Sequence, residues 1–130
     1  MVNVQLLHPQ EIEVYYLIPT IRKHFTLLLK QRGLAQKDVA KILAIRESTV
    51  SQYVQHKRGD HITFPKQVID ELEKSVQTIT TTADYLRETQ RILRLIRSTD
   101  LICRIHKAHA QLPPCCNGSD KPCTVELSWN

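Results

Sequence analysis

Residues 34–53 read LAQKDVAKILAIRESTVSQY, and the fold is decided by how this stretch is read. Its first half sets Val39, Ala40 and Leu43 at helical spacing among polar side chains. Its second half repeats the pattern with Val50 and Tyr53, and Val54 extends the apolar edge. The spacing predicts a short helix over 35–43, a tight turn at Ala44-Ile45, and a second helix over 47–55. Ala40 is small at the point where the second helix must cross the first, and Ile45 and Val50 fill the angle between them. The second helix then turns Glu47, Ser48, Ser51, Gln52 and Gln55 outward as one polar face. A helix of this kind fits the major groove of DNA and offers side chains able to read base edges. Lys57 and Arg58 follow directly, placed to grip backbone phosphate.

Working outward, a longer helix is expected over 20–32, with Ile21, Phe25, Leu28 and Leu29 on one face and Gly33 just past its end. Before it, Pro9 suits the first turn of a helix, and Pro19 is expected to break or kink that helix. On the other side, Phe64-Pro65 opens a helix in which Val68, Leu72 and Val76 recur every four residues, with Ile79 three further on. The β-branched run TITTT at 78–82 should interrupt it. A long helix over 83–110 follows. Its apolar stripe comprises Tyr85, Leu86, Ile92, Leu93, Leu95, Ile96, Leu101, Ile102 and Ile105, broader than a solvent-facing helix needs. Such a stripe packs either on the N-terminal helices or on a second copy of the chain. The second is preferred, because a lone helical hairpin has little else to bury it. The expected architecture is therefore all-α: a helix-turn-helix bundle over 1–64, a dimerisation helix region over 65–111, and an irregular cysteine-rich loop over 112–130.

Charge supports a polyanion as partner. The chain carries 18 Lys and Arg against 13 Asp and Glu, a formal net charge of +5. Between Thr20 and Arg58 there are nine bases (Arg22, Lys23, Lys30, Arg32, Lys37, Lys41, Arg46, Lys57, Arg58) and two acids, Asp38 and Glu47. The remainder is slightly acidic. A basic excess confined to one segment is the electrostatic footprint of nucleic-acid binding.

The stretch resembles the lambda-repressor/Cro type of helix-turn-helix. The residues that carry the resemblance are Gln36 at the start of the first helix, Asp38-Val39-Ala40 within it, Ser48-Thr49-Val50-Ser51 in the recognition helix, and Lys57-Arg58-Gly59 at its exit. The resemblance implies duplex DNA as partner. It places Gln36 and Lys37 at phosphates and turns Arg46, Glu47, Ser48 and Gln52 towards bases, with Thr49 and Ser51 nearby. Ala44 stands where the family usually has Gly, and Arg46 where a small N-capping residue is common; both departures cost turn stability. A homodimer is expected, since one recognition helix reads few bases and two-fold proteins read paired half-sites. The wider layout, with Glu11, Leu17-Ile18-Pro19-Thr20-Ile21-Arg22 before the motif and Ile102-Cys103-Arg104-Ile105-His106 after it, resembles predicted regulators frequent in archaea. These append a cysteine cluster to this helix-turn-helix. Their second element usually reads Cys-x-x-Cys, whereas here it reads Cys103-x-x-His106.

All four cysteines fall at the C-terminal end: Cys103, Cys115, Cys116 and Cys123. That grouping favours a metal centre over isolated buried thiols or redox chemistry. An iron–sulfur cluster, most simply [4Fe-4S], takes thiolate ligands, and its size lets the adjacent pair Cys115-Cys116 reach different irons. Zinc would take Cys103, His106, one of the pair and Cys123 in a tetrahedral set. The cluster is preferred, and with it a role as redox or iron sensor; zinc would make the tail a structural clip.

Enzyme chemistry has little support: the chain has no phosphate-binding glycine loop, no Ser elbow and no His-Glu-x-x-His. The stronger rival is an antitoxin-like DNA-binding or interaction protein. The N-terminus lacks a basic segment followed by an apolar one, so no signal peptide is expected. No stretch is apolar enough to span a bilayer. The expected compartment is a reducing cytoplasm, where structural disulfides are poor candidates.

Overall fold

The computed structural model describes residues 8–56 and 62–109, and every regular element among them is a helix. Lys57, Arg58, Cys115, Cys116, Cys123 and the region 112–130 lie outside the described residues. In chain order the elements are α1 (Pro9–Ile12), a π-helical segment (Glu13–Leu17), α2 (Ile18–Gln31), α3 (Gln36–Leu43), α4 (Glu47–Val54), α5 (Lys66–Val76), α6 (Thr82–Arg97) and α7 (Leu101–His109).

Pro19 does not end the first helix. The π-helical turn ahead of it widens the backbone, and Ile18 N–H reaches five residues back to the Glu13 carbonyl. Proline lacks a donor and its ring crowds the carbonyl four residues back. A wide turn placed just before it removes that conflict. The Thr20 hydroxyl donates to the Tyr16 carbonyl at 2.7 Å and satisfies that acceptor.

Helices α2 and α3 end in the same way. At Gly33 (φ +104°), Gly33 N–H donates to the Lys30 carbonyl and Leu34 N–H to the Leu29 carbonyl. At Ala44 (φ 55°), Ala44 N–H donates to the Lys41 carbonyl and Ile45 N–H to the Ala40 carbonyl. Both are Schellman turns, which need one left-handed residue. Alanine there carries a steric cost of about 1–2 kcal/mol that glycine avoids. Glycine adds about 0.4–1 kcal/mol of unfolded-state freedom. Ala44→Gly is therefore expected to stabilise the chain by about 0.5–1 kcal/mol, read as a raised denaturant midpoint at unchanged slope. An unchanged or lowered midpoint would show that Ala44 is not held left-handed in solution.

The threonine run is a helix start rather than a mere weak point. Thr81 Oγ1 accepts from Asp84 N–H, while Asp84 accepts from the backbone N–H groups of Thr80 and Thr81 and from the Thr80 hydroxyl. This is a capping box. The donors from Thr80, backbone first and then hydroxyl, hold the Asp84 carboxyl well below the usual carboxylate range.

The expected long helix over 83–110 is two helices. Ser98-Thr99-Asp100 closes α6 and opens α7: Ser98 Oγ donates to the Leu95 carbonyl, Thr99 Oγ1 to the Ile96 carbonyl, and Leu101 N–H to Thr99 Oγ1. After this break α7 packs against α1 as well as α6. The apolar stripe is thereby covered within the chain. Ile92, Leu93, Ile96, Leu101, Ile102 and Ile105 all join one core with Ile12, Leu17, Ile21, Phe25, Leu29, Val39 and Val50. Leu86 is the exception, at 54% exposed. The stripe expected to form a subunit interface is thus largely part of the chain's own core, and the described parts of regions 1–64 and 65–111 share a single apolar cluster.

Polar ties reinforce the same packing. Arg97 pairs with Glu13 through two hydrogen bonds of 2.7 and 3.0 Å, joining the end of α6 to the π-helical segment. Arg91 donates to Glu71 at 2.7 Å and to the buried Ser75 hydroxyl, joining α6 to α5. No helix among the described residues is long and apolar enough to cross a membrane.

Candidate nucleic-acid interface

The site starts from the α3–turn–α4 pair. Val39, Ala40, Leu43, Val50 and Tyr53 are buried, so each helix turns one face inward. The complementary face of α4 is outward: Glu47, Ser48 and Gln55 are exposed, and Thr49, Ser51 and Gln52 are half-buried. Arg46, immediately ahead of α4, is exposed, as are Lys37 and Lys41 on α3. Val54, expected inside, lies at the rim at 36% exposed.

What holds α4 at its angle is a set of contacts the sequence did not reveal. The Gln36 side-chain amide donates to the Glu47 carbonyl at 3.0 Å and to the Ser51 hydroxyl. Gln36, expected at a phosphate, thus links the start of α3 to the first turns of α4, where both its partners lie. Tyr53 is anchored from behind: Arg22 on α2 bonds to Tyr85 on α6 at 3.4 Å and interacts with Tyr53. Burial pulls the Arg22 guanidinium down, but the two tyrosines outweigh it and the net shift is upward. Phe25 meets Tyr85 edge-on, with ring centroids 6.0 Å apart. The Thr82 hydroxyl also donates to the Lys41 carbonyl at 3.3 Å, so the start of α6 sits at the end of α3.

The basic segment divides by role. Arg32 donates to the carbonyls of Val76 at 2.6 Å and Ile79 at 2.7 Å, satisfying acceptors at the end of α5. Arg22 is held by tyrosines, and Lys23 is buried. Three of the nine bases counted in the sequence therefore serve the fold. Among the described residues, Lys37, Lys41 and Arg46 form the exposed basic rim of the helix pair, against the exposed acids Asp38 and Glu47. Gln52 has its side-chain oxygen shielded from solvent with no hydrogen-bond partner among the described residues. Among the described residues it is the one member of the outward face with a solvent-shielded side-chain atom left unmatched.

Of the residues expected to bind metal, Cys103 and His106 are described. Both lie on α7, Cys103 half-buried and His106 buried at 7% exposed. No group of three or more His, Cys, Asp or Glu side chains suited to a metal ion occurs among the described residues.

No protein-family model matches the chain, and no curated protein or solved structure gives a significant match.

Proposed function

We propose that this chain is a sequence-specific duplex-DNA-binding protein acting as a transcriptional regulator. The observation that carries the reading is α4: a short helix whose inner face is anchored through Val50 and Tyr53. Its outward edge presents Glu47, Ser48, Thr49, Ser51 and Gln52 beside Arg46. Placed in a major groove, that edge meets base edges, and Lys37 and Lys41 sit at the flanking backbone. Lys57 and Arg58 continue the basic sequence beyond α4. A rigid mount matters here, because hydrogen-bond readout fails when the reading helix is displaced by about an ångström. Gln36 and the Arg22–Tyr53–Tyr85 group supply that mount.

A recognition helix of eight residues meets few base pairs. Two copies on a two-fold operator, with half-sites about 34 Å apart, would supply the missing specificity. The joining face is not the Ile92–Ile105 stripe, whose members other than the half-buried Leu95 are buried in the core.

The test is selection of duplexes from a random library, followed by binding at several salt concentrations. An enriched motif with paired half-sites is expected. Arg46→Ala or Gln52→Ala should relax preference at one position by roughly tenfold to a hundredfold, the worth of one good base contact (about 1–3 kcal/mol). Lys37→Ala should weaken binding to all sequences alike and flatten the salt dependence by about one counterion. No enriched motif, or an unchanged motif and affinity in both Arg46→Ala and Gln52→Ala, would remove the reading.

A further inference from the structure

On α2, the His24 ring lies against Phe64, with ring centroids 5.3 Å apart and planes tilted by 33°. His24 is half-buried and Phe64 buried. Phe64 is the first buried residue after α4 among the described residues, and Pro65 beside it stands at the N-cap of α5. The ring contact therefore fastens α2 to the point where the chain leaving α4 rejoins the core. An imidazole is the side chain whose ordinary charge change falls between about pH 5 and 8. Lys23, next in the sequence, is also buried, and its ammonium acts on the His24 ring. A proton on His24 would set two cations side by side in a seam that water reaches only in part.

Among the described residues no carboxylate offsets that charge. Glu13 is held by Arg97, Glu71 by Arg91, Glu88 by Arg91, and Asp84 by Thr80 and Arg87. Asp38 on α3, Glu47 on α4, and Asp70 and Glu73 on α5 are exposed. Tyr53 on α4 is engaged by Arg22. The bases Lys37 and Lys41 on α3 and Lys66 and Lys74 on α5 are exposed as well. Lys23 is the charged group that acts on the ring, and Asp60 and His61 lie outside the described residues. Burial first, and Lys23 second, hold the imidazole below its usual range. Stacking of a charged ring on Phe64 recovers only part of this, because lost hydration and Lys23 both oppose it. We propose that His24 is a proton-sensitive joint: neutral, it holds the start of α5 and the chain leaving α4 against α2, and protonation releases them. The stability it contributes is present in full above the ordinary imidazole value of 6.5. It is lost as pH falls from there through the lower value of the folded state. Lys57 and Arg58 lie between α4 and this joint in the sequence. The joint itself does not depend on DNA binding.

The experiment compares the full wild-type chain with His24→Phe and His24→Gln. The first variant keeps a ring beside Phe64 that cannot be protonated, and the second keeps a neutral polar group. Denaturant midpoints are measured from about pH 7.5 to about pH 5.5, on either side of the ordinary imidazole value. Amide protection is followed on the same samples at Val68 and Ile69, which donate to the Pro65 carbonyl in the first turn of α5. The His24 ring of the wild type is titrated by NMR. Wild type is expected to lose midpoint and Val68 and Ile69 protection as pH falls. Both variants should lose less, and the other histidines, common to all three proteins, cancel in the comparison. The His24 ring should titrate below the ordinary imidazole value. Should one variant fail to fold, the other and the ring titration decide. The proposal is overturned if His24 titrates at or above the ordinary value. It is also overturned if a folded variant loses as much midpoint and as much Val68 and Ile69 protection as wild type does.

Discussion

Phe25→Ala is expected to lower stability by about 3–5 kcal/mol, the range for removing a fully buried aromatic side chain. Phe25 is 0% exposed and belongs to the central apolar cluster. Its ring also meets Tyr85 of α6 edge-on, an arrangement that contributes about 0.5–1.5 kcal/mol beyond burial. A domain of this size has about 5–15 kcal/mol in total, so the variant should melt roughly 10 °C or more below wild type. The form of the transition decides more than its midpoint. Phe25 lies in the N-terminal half and Tyr85 in the C-terminal half, and both contribute to one core. Loss should therefore be felt by α5, α6 and α7 together with α2, α3 and α4, in one cooperative step. Far-UV circular dichroism and amide exchange on the same sample check this. A surviving C-terminal helical transition at the wild-type temperature would mean that the two halves fold separately.

The second large effect is expected at Glu13. Its side chain is about 10% exposed and accepts two hydrogen bonds from Arg97, whose side chain is about 32% exposed. The Glu13 contact raises the Arg97 pKa, overcoming the opposing effect of burial. Removing one partner of a fully buried ion pair costs about 3–5 kcal/mol, because the other charge is left desolvated. Water still reaches a third of Arg97 and takes over part of that burden, so Glu13→Ala should cost about 1–3 kcal/mol. Glu13→Gln keeps a hydrogen-bond acceptor and should cost less. The double variant with Arg97→Ala should be less damaging than the sum of its parts, since the pair is direct. A local readout accompanies the global one: amides of the π-helical segment and α1 should exchange faster, because Arg97 fastens them to the end of α6. If Glu13→Ala and Arg97→Ala simply add, the pair is not formed in solution.

Much of the fold was legible in the sequence, for local reasons. Val39, Ala40, Leu43 and Val50 lie inside, as their spacing required, and Gly33 and Phe64-Pro65 mark the boundaries where backbone geometry demands them. Two local signals went unread. Ser98-Thr99-Asp100 is a run of capping side chains, and it splits the expected long helix into α6 and α7. At the expected interruption of the helix, Thr80, Thr81 and Asp84 form a capping box that starts α6. Pro19 was expected to break or kink its helix, and that it does not end it has a different reason. A π-turn depends on how the preceding residues pack, and in the structure Glu13, at the head of that turn, is paired with Arg97 from far along the chain.

The sequence by itself determined that this is a helical protein with a short helix pair whose second member has one apolar and one polar edge. Those properties follow from periodicity, capping and turn chemistry, all of which act within a few residues. Only the tertiary structure decided what each surface meets. It folded α7 back onto α1 and thereby consumed the stripe expected to join two subunits. It assigned Arg22 and Arg32 to the fold and left Lys37, Lys41 and Arg46 at the rim of the helix pair. It turned Gln36 to α4, and it buried His106 with Nε2 unmatched among the described residues. Each of these depends on a partner distant in the chain, and one-dimensional spacing specifies that a side chain faces inward without specifying what it will face.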